Sequence, residues 1–144
     1  MKFTLIIDKN REEEVVIYAK EKNDLVLKIR ELISSESDDL IGYKGNELIR
    51  VLPKDVFCFT IEGGKLFAIM ENERIQLKQR LYQIEELVGQ DFVKINQSSI
   101  ANIKKIDRFK ATLGGSLVVT FKNGYRDYVS RRQVRTVKER IGVK

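Results

Sequence analysis

Four times between Leu40 and Val129 a pair of turn-forming residues separates two short apolar runs: Gly45-Asn46, Gly63-Gly64, Gly114-Gly115 and Asn123-Gly124. Glycine, and less readily asparagine, enters the left-handed backbone region that tight hairpin turns require, so such pairs mark where strands reverse. The chain from Leu40 onward therefore reads as a small antiparallel β domain. Leu40–Lys44 pairs with residues 47–52, and residues 56–61 pair with 66–70. Further strands fall at Arg74–Leu77 and residues 92–95. A basic strand over 104–112 then turns at Gly114-Gly115 into Leu117–Phe121, and Asn123-Gly124 leads into 125–129. At Asn123-Gly124 both turn positions are expected to take positive φ.

Two short helices interrupt this pattern. Over residues 78–88, Leu77, Leu81, Ile84 and Val88 make one apolar stripe and Gly89 offers a stop. Over 131–141 a second helix opens at Ser130, and Gln133 has the spacing of a capping box. Arg131 and Arg132 then sit beside the positive end of the helix dipole, where a cation typically loses roughly 0.3–1 kcal/mol. A polyanion docking there would relieve that conflict. Before Leu40, residues 3–7 and 15–18 read as a hairpin across the charged stretch 8–14. Asn23 or Asp24 then caps a helix through about Ser34, with Leu25, Ile29, Leu32 and Ile33 on one face. Residues 34–39 are polar and read as a linker. The expected architecture is α+β, mainly antiparallel β: a β-β-α appendage over 1–40, then a β domain with two short helices over 41–144.

Charge is distributed unevenly between the halves. Residues 1–91 hold 14 Lys/Arg against 18 Asp/Glu, and residues 92–144 hold 13 against 3, so a net of −4 precedes a net of +10. A field of that density is the footprint of a polyanion-binding surface. The chain has no histidine, which removes imidazole catalysis, Ser-His and Cys-His pairs and His-based zinc sites. Cys58, the one cysteine, lies in an apolar run and reads as a buried structural thiol. No enzyme, catalytic residue, metal, cofactor or small-molecule substrate is expected. No apolar stretch is long enough to span a bilayer and no signal-peptide pattern opens the chain, so the expected location is cytoplasmic.

The ordered set of residues resembles the LytTR DNA-binding domain from about Glu47 to Gly142. The carriers are Phe92-Val93-Lys94-Ile95-Asn96-Gln97-Ser98-Ser99-Ile100-Ala101-Asn102, then Ile103 and Ile106, Lys122-Asn123-Gly124, and Val129-Ser130-Arg131-Arg132. Asp55-Val56, Glu62-Gly63-Gly64 and Leu81-Tyr82-Gln83-Ile84-Glu85 fit in order and spacing. The family commonly has His-Arg or His-Lys where this chain has Asn96-Gln97, which removes a charge but keeps hydrogen-bonding capacity. Residues before Leu40 match no phosphorylated receiver domain, so the likeness is to the stand-alone type.

The resemblance implies a bacterial transcriptional regulator that reads successive major grooves of double-stranded DNA with loops. Carried over by position, those loops are Gly63-Gly64-Lys65, Asn96-Gln97-Ser98 and Ser130-Arg131-Arg132. Base contacts are then expected from Lys65, Asn96, Gln97, Arg131 and Arg132, and phosphate contacts from Lys94, Ser98, Arg126, Ser130 and Arg135. A homodimer on DNA is expected, with the N-terminal piece serving self-association or partner binding, and the resemblance also implies a small membrane-protein regulator. Two alternatives stay open: an adaptor acting by protein contact, and a sheet-face RNA or single-strand binder. Against the latter, Tyr125 and Tyr128 fall on opposite faces of one strand and Phe109 is isolated.

Overall fold

The computed structural model describes residues 2–37 and 40–142. After α1 (Asp24–Ser37) come β1 (Leu40–Lys44), β2 (Glu47–Val51), β3 (Cys58–Glu62), β4 (Lys65–Ile69), β5 (Arg74–Leu77) and α2 (Leu81–Leu87). Next are β6 (Phe92–Asn96), β7 (Ser99–Asn102), β8 (Ile106–Ala111), β9 (Leu117–Phe121), β10 (Arg126–Val129) and α3 (Arg131–Arg140). Strands β1–β7 form one sheet in the order β2-β1-β5-β4-β3-β7-β6, and β8–β10 form a second in the order β10-β9-β8. All pairings are antiparallel.

Alternate side chains send the larger sheet into two cores. Phe59, Leu66, Ala68, Ile75, Phe92 and Ile100 pack with Leu81, Ile84 and Val88 of the α2 region. On the other side, Cys58, Ile69, Val93, Ile95 and Ala101 meet Val119, Phe121 and Val129 of the smaller sheet and Val137 of α3. Burial on both faces explains why residues 56–60 are uniformly buried, where a one-faced strand would alternate. Burying a side chain the size of Phe59 contributes roughly 1.5–3 kcal/mol, and its ring lies 5.6 Å from that of Phe92.

The glycine pairs turn the chain as expected at Gly45-Asn46 and at Gly63-Gly64, where Lys44 faces Glu47 and Glu62 faces Lys65. Gly63 and Gly64 have φ of +58° and +76°. At Asn123-Gly124 only the glycine has positive φ. Gly124 N–H donates to Phe121 O and Phe121 N–H to Tyr125 O, which makes a longer loop than a two-residue turn. Asn123 instead spends its side chain, donating to Met70 O (2.8 Å) and accepting from Tyr125 N–H (3.0 Å), and so joins the two sheets.

Other boundaries also move. The helix expected from residue 78 starts at Leu81, because Lys78 N–H still bonds Ile41 O of β1 (3.4 Å) and Arg80 N–H donates to Gln83 Oε1 (2.8 Å). The side-chain reach-back expected of Gln133 is thus made by Gln83. Ser130 occupies the N-cap of α3 without a side-chain capping bond. The strand expected from residue 104 begins at Ile106, since a 3-10 turn over Ile103–Lys105 is held by Asn102 Oδ1 accepting from Lys104 N–H (3.1 Å).

Asn23 caps α1, its Oδ1 accepting from Val26 N–H (3.0 Å). Arg30 docks this helix by donating to Glu85 O and Glu86 O (2.6 and 3.0 Å), carbonyls at the C-terminal end of α2 where a cation is favoured. The helix runs to Ser37, past the expected end at Ser34; residues 38 and 39 of the expected linker lie outside the described residues. The N-terminal hairpin is absent: a turn forms at Asp8–Arg11, but residues 2–23 contain no strand. Phe3 is 88% exposed and Tyr18 96%. Two strands with no helix or third strand to cover them are marginal in water, and these residues stay exposed among the described residues.

Candidate nucleic-acid interface

The β6–β7 turn organises one end of the larger sheet. Ile61 N–H, near the end of β3, donates to Ser98 O, and Ser130 N–H, at the entry to α3, donates to Ile95 O, both at 2.9 Å. The turns at Gly63-Gly64, at Gln97-Ser98 and at Ser130-Arg131 are therefore tied to one strand end.

Beneath them lies a polar network centred on Asp127 of β10. Its Oδ1 accepts from Asn96 Nδ2 (3.1 Å) and Tyr128 N–H (2.8 Å). Its Oδ2 accepts from the Ser99 hydroxyl (2.6 Å) and the Tyr125 hydroxyl (3.3 Å). The Ser99 and Thr60 hydroxyls are 2.8 Å apart, so the network joins β3, β6, β7 and β10 across the two sheets. Burial, then the Cys58 thiol and the Asp127 carboxylate, push the Tyr125 hydroxyl well above its ordinary value and keep it a neutral donor. Burial chiefly, and the Asp127 carboxylate next, likewise raise the Cys58 thiol, which is fully buried as expected.

Asn96 corrects an expectation. It is 2% exposed; its Nδ2 bonds Asp127 and Tyr128 O (2.8 Å), and its Oδ1 accepts from Ser98 N–H (2.8 Å). Both amide hydrogens are used within the protein, which leaves the side chain no free donor for a base edge in this conformation. Its work is to set the turn that presents Gln97 and Ser98, both exposed. Lys65 is exposed beside its glycine turn, and Arg131 and Arg132 are exposed in the first turn of α3. Ser130 is half-buried at the N-cap, its hydroxyl not used by the helix.

Among the residues expected at phosphates, Lys94 is half-buried on β6 and shares a groove of about 590 Å³ with Lys65 and Gln97. Arg135 lines a second hollow with Arg131 and Lys138 along α3, and its Nε lies 3.3 Å from Glu139 Oε1. Arg126 stands apart, three residues along β10 from Val129, a distance of about 10 Å.

Sequence reasoning passed over Asp127, Lys78 and Arg80. Asp127 is one of only three carboxylates in the basic half, and that rarity was its signal. Lys78 and Arg80 were hidden by the helix boundary, although Arg80 and Gln83 have the spacing of a reach-back cap. Among the described residues no group of three or more His, Cys, Asp or Glu is placed to hold a metal, and no helix is long and apolar enough to cross a membrane.

The model of the LytTr DNA-binding domain family matches residues 46–142. Proteins of Staphylococcus aureus strains NCTC 8325 and COL, named HTH-type transcriptional regulators, are 31% identical over 146 residues, covering 99% of this chain and 99% of each relative. A solved LytTr DNA-binding domain from Bacillus cereus superposes with a TM-score of 0.68 at 18% identity, covering 74% of this chain and 99% of that one. The mainly antiparallel α+β fold is the fold of that domain. Match, relatives and fold agree: the chain belongs to the LytTR DNA-binding domain family.

Proposed function

We propose that this protein is a transcriptional regulator that binds double-stranded DNA sequence-specifically, reading major grooves with loops, and that it has no enzymatic activity. The observation that carries this reading is the joining of three exposed turns to one strand end over a single buried network. Lys65, Gln97, Arg131 and Arg132 are assigned to base edges, where Arg suits guanine and Gln suits adenine. Lys94, Ser98, Ser130 and Arg135 are assigned to phosphates, with Arg126 as an outlying phosphate contact. Such a protein works where the chromosome is, in the cytoplasm.

The sheet-face RNA reading loses support, because both faces of the larger sheet are covered by core clusters. Fluorescence anisotropy on selected and random duplexes over a salt series tests the DNA reading. Affinity should fall with salt at a log–log slope of about −0.9 for each phosphate held. A flat response would overturn it.

A homodimer on DNA is the second element of the proposal. Phe3, Leu5, Ile6, Ile7, Val15 and Tyr18 are exposed, and a second copy that covered them would supply the missing neighbour for residues 2–23. A membrane-protein regulator would meet the same surface.

A further inference from the structure

We propose that the groove between the β3–β4 turn, the β5–α2 connection and β6 is a cradle for the DNA backbone, in which Lys78 and Arg80 hold phosphates together with Lys94. The proposal rests on the DNA-binding reading and adds two contacts to it. Lys65, Lys78, Arg80 and Lys94 all line this groove, with Glu85 as its one carboxylate. Among the described residues none of the four cations is in an ion pair, whereas Lys44, Arg74, Lys104, Arg108 and Arg135 each have a carboxylate partner. Four unneutralised cations facing one concavity repel one another, and an anion seated among them removes that repulsion.

The connection that carries Lys78 and Arg80 is fixed in place. Lys78 N–H bonds Ile41 O, and Arg80 N–H bonds Gln83 Oε1. Between them Gln79 lines the same groove, and its Oε1 is buried without a hydrogen-bond partner. A buried unpaired carbonyl is costly, and a water bridging it to a phosphate would satisfy it. Gln97 borders the groove as well. A duplex whose major groove receives Gln97 therefore runs its adjoining backbone over these cations.

The test is the paired variant Lys78→Ala/Arg80→Ala, with Lys54→Ala/Lys122→Ala as the control for net charge; the latter two line a different groove, with Pro53 and Gly89. With unchanged melting temperature, the first pair is expected to weaken selected and random DNA alike, at least tenfold. It should also reduce the magnitude of the salt slope by about two, while the control pair leaves it nearly unchanged. An unchanged slope in the first pair, or an equal fall in the control, would overturn the cradle while leaving the DNA reading intact. Inorganic phosphate alone, titrated by NMR, distinguishes a free-anion site. Saturation at low millimolar phosphate with no effect of the variant on DNA would assign the groove to that anion and also overturn the proposal. A wild-type protein without salt-dependent DNA binding overturns the DNA reading and the cradle together.

Discussion

Asn96 and Gln97 are neighbours in sequence with opposite tasks, and alanine separates them. Asn96→Ala strands Ser98 N–H and Tyr128 O and removes one of the two donors to Asp127 Oδ1, and leaving buried groups unsatisfied costs about 1–3 kcal/mol. The expected outcome is a lower denaturation midpoint and weaker binding to all DNA. Gln97→Ala and Arg132→Ala are expected to leave the midpoint unchanged and to cost about 1–3 kcal/mol on the preferred duplex alone. Anisotropy beside urea melts reads both. Cys58 and Tyr125 predict a pH dependence. Their folded values are raised, so their contribution to stability is complete below the unfolded values and is lost as pH rises through them, from about 8.5 for the thiol and about 10 for the phenol. Urea midpoints should decline above about pH 8.5, and Cys58→Ala should remove the lower part of that decline. A pH-independent midpoint up to 10 would contradict the burial argument.

At the scale of elements, β1 is fitted to the sheet through Gly42. A Cβ there would meet Ile75 Cγ2 at 2.3 Å and Gln76 O at 3.1 Å, so Gly42→Ala must shift the buried Ile75 side chain or move β1 relative to β5. Overpacking of this kind costs about 1–3 kcal/mol, and thermal melts should register the loss while the salt slope stays the same. The hairpins were legible because their signals are local: glycine conformation at Gly63-Gly64 and alternation in the strands beside it. The insertion of β7 between β3 and β6 was not, since the pairing of Cys58 with Ala101 is a tertiary choice that no local run encodes. Helix α2 was legible by its stripe, and its start was not, because Lys78 satisfies its backbone on β1 instead. The site divides in the same way. Exposed Gln97 and Arg132 follow from position in the family pattern, whereas the inward turn of Asn96 depends on Asp127, which lies 31 residues later.

For the whole molecule, the apolar N-terminal segment contains none of the residues assigned to DNA. Ile6→Asp/Tyr18→Asp is expected to reduce dimer content by sedimentation without lowering the urea midpoint measured at concentrations where both proteins are monomeric, since neither side chain is buried in the single chain. A dimer that survives both charges would locate self-association elsewhere. The relatives' names speak of a helix-turn-helix type, yet in this chain strands separate every helix from the next among the described residues. In the proposed reading recognition rests on turns, and turns hold their shape only through what lies under them. Here that support is Asp127, supplied by a strand late in the sequence. A nascent chain on the ribosome completes the Lys65 and Gln97 turns well before the carboxylate that fixes them has been polymerised. Chains that end at Gly124 thus hold 6 of the 13 Lys/Arg of residues 92–144 and lack the carboxylate that orders the reading end. A fragment ending at Gly124 is expected to leave the operator occupancy of full-length protein unchanged in competition, so that only completed translation products report to the promoter.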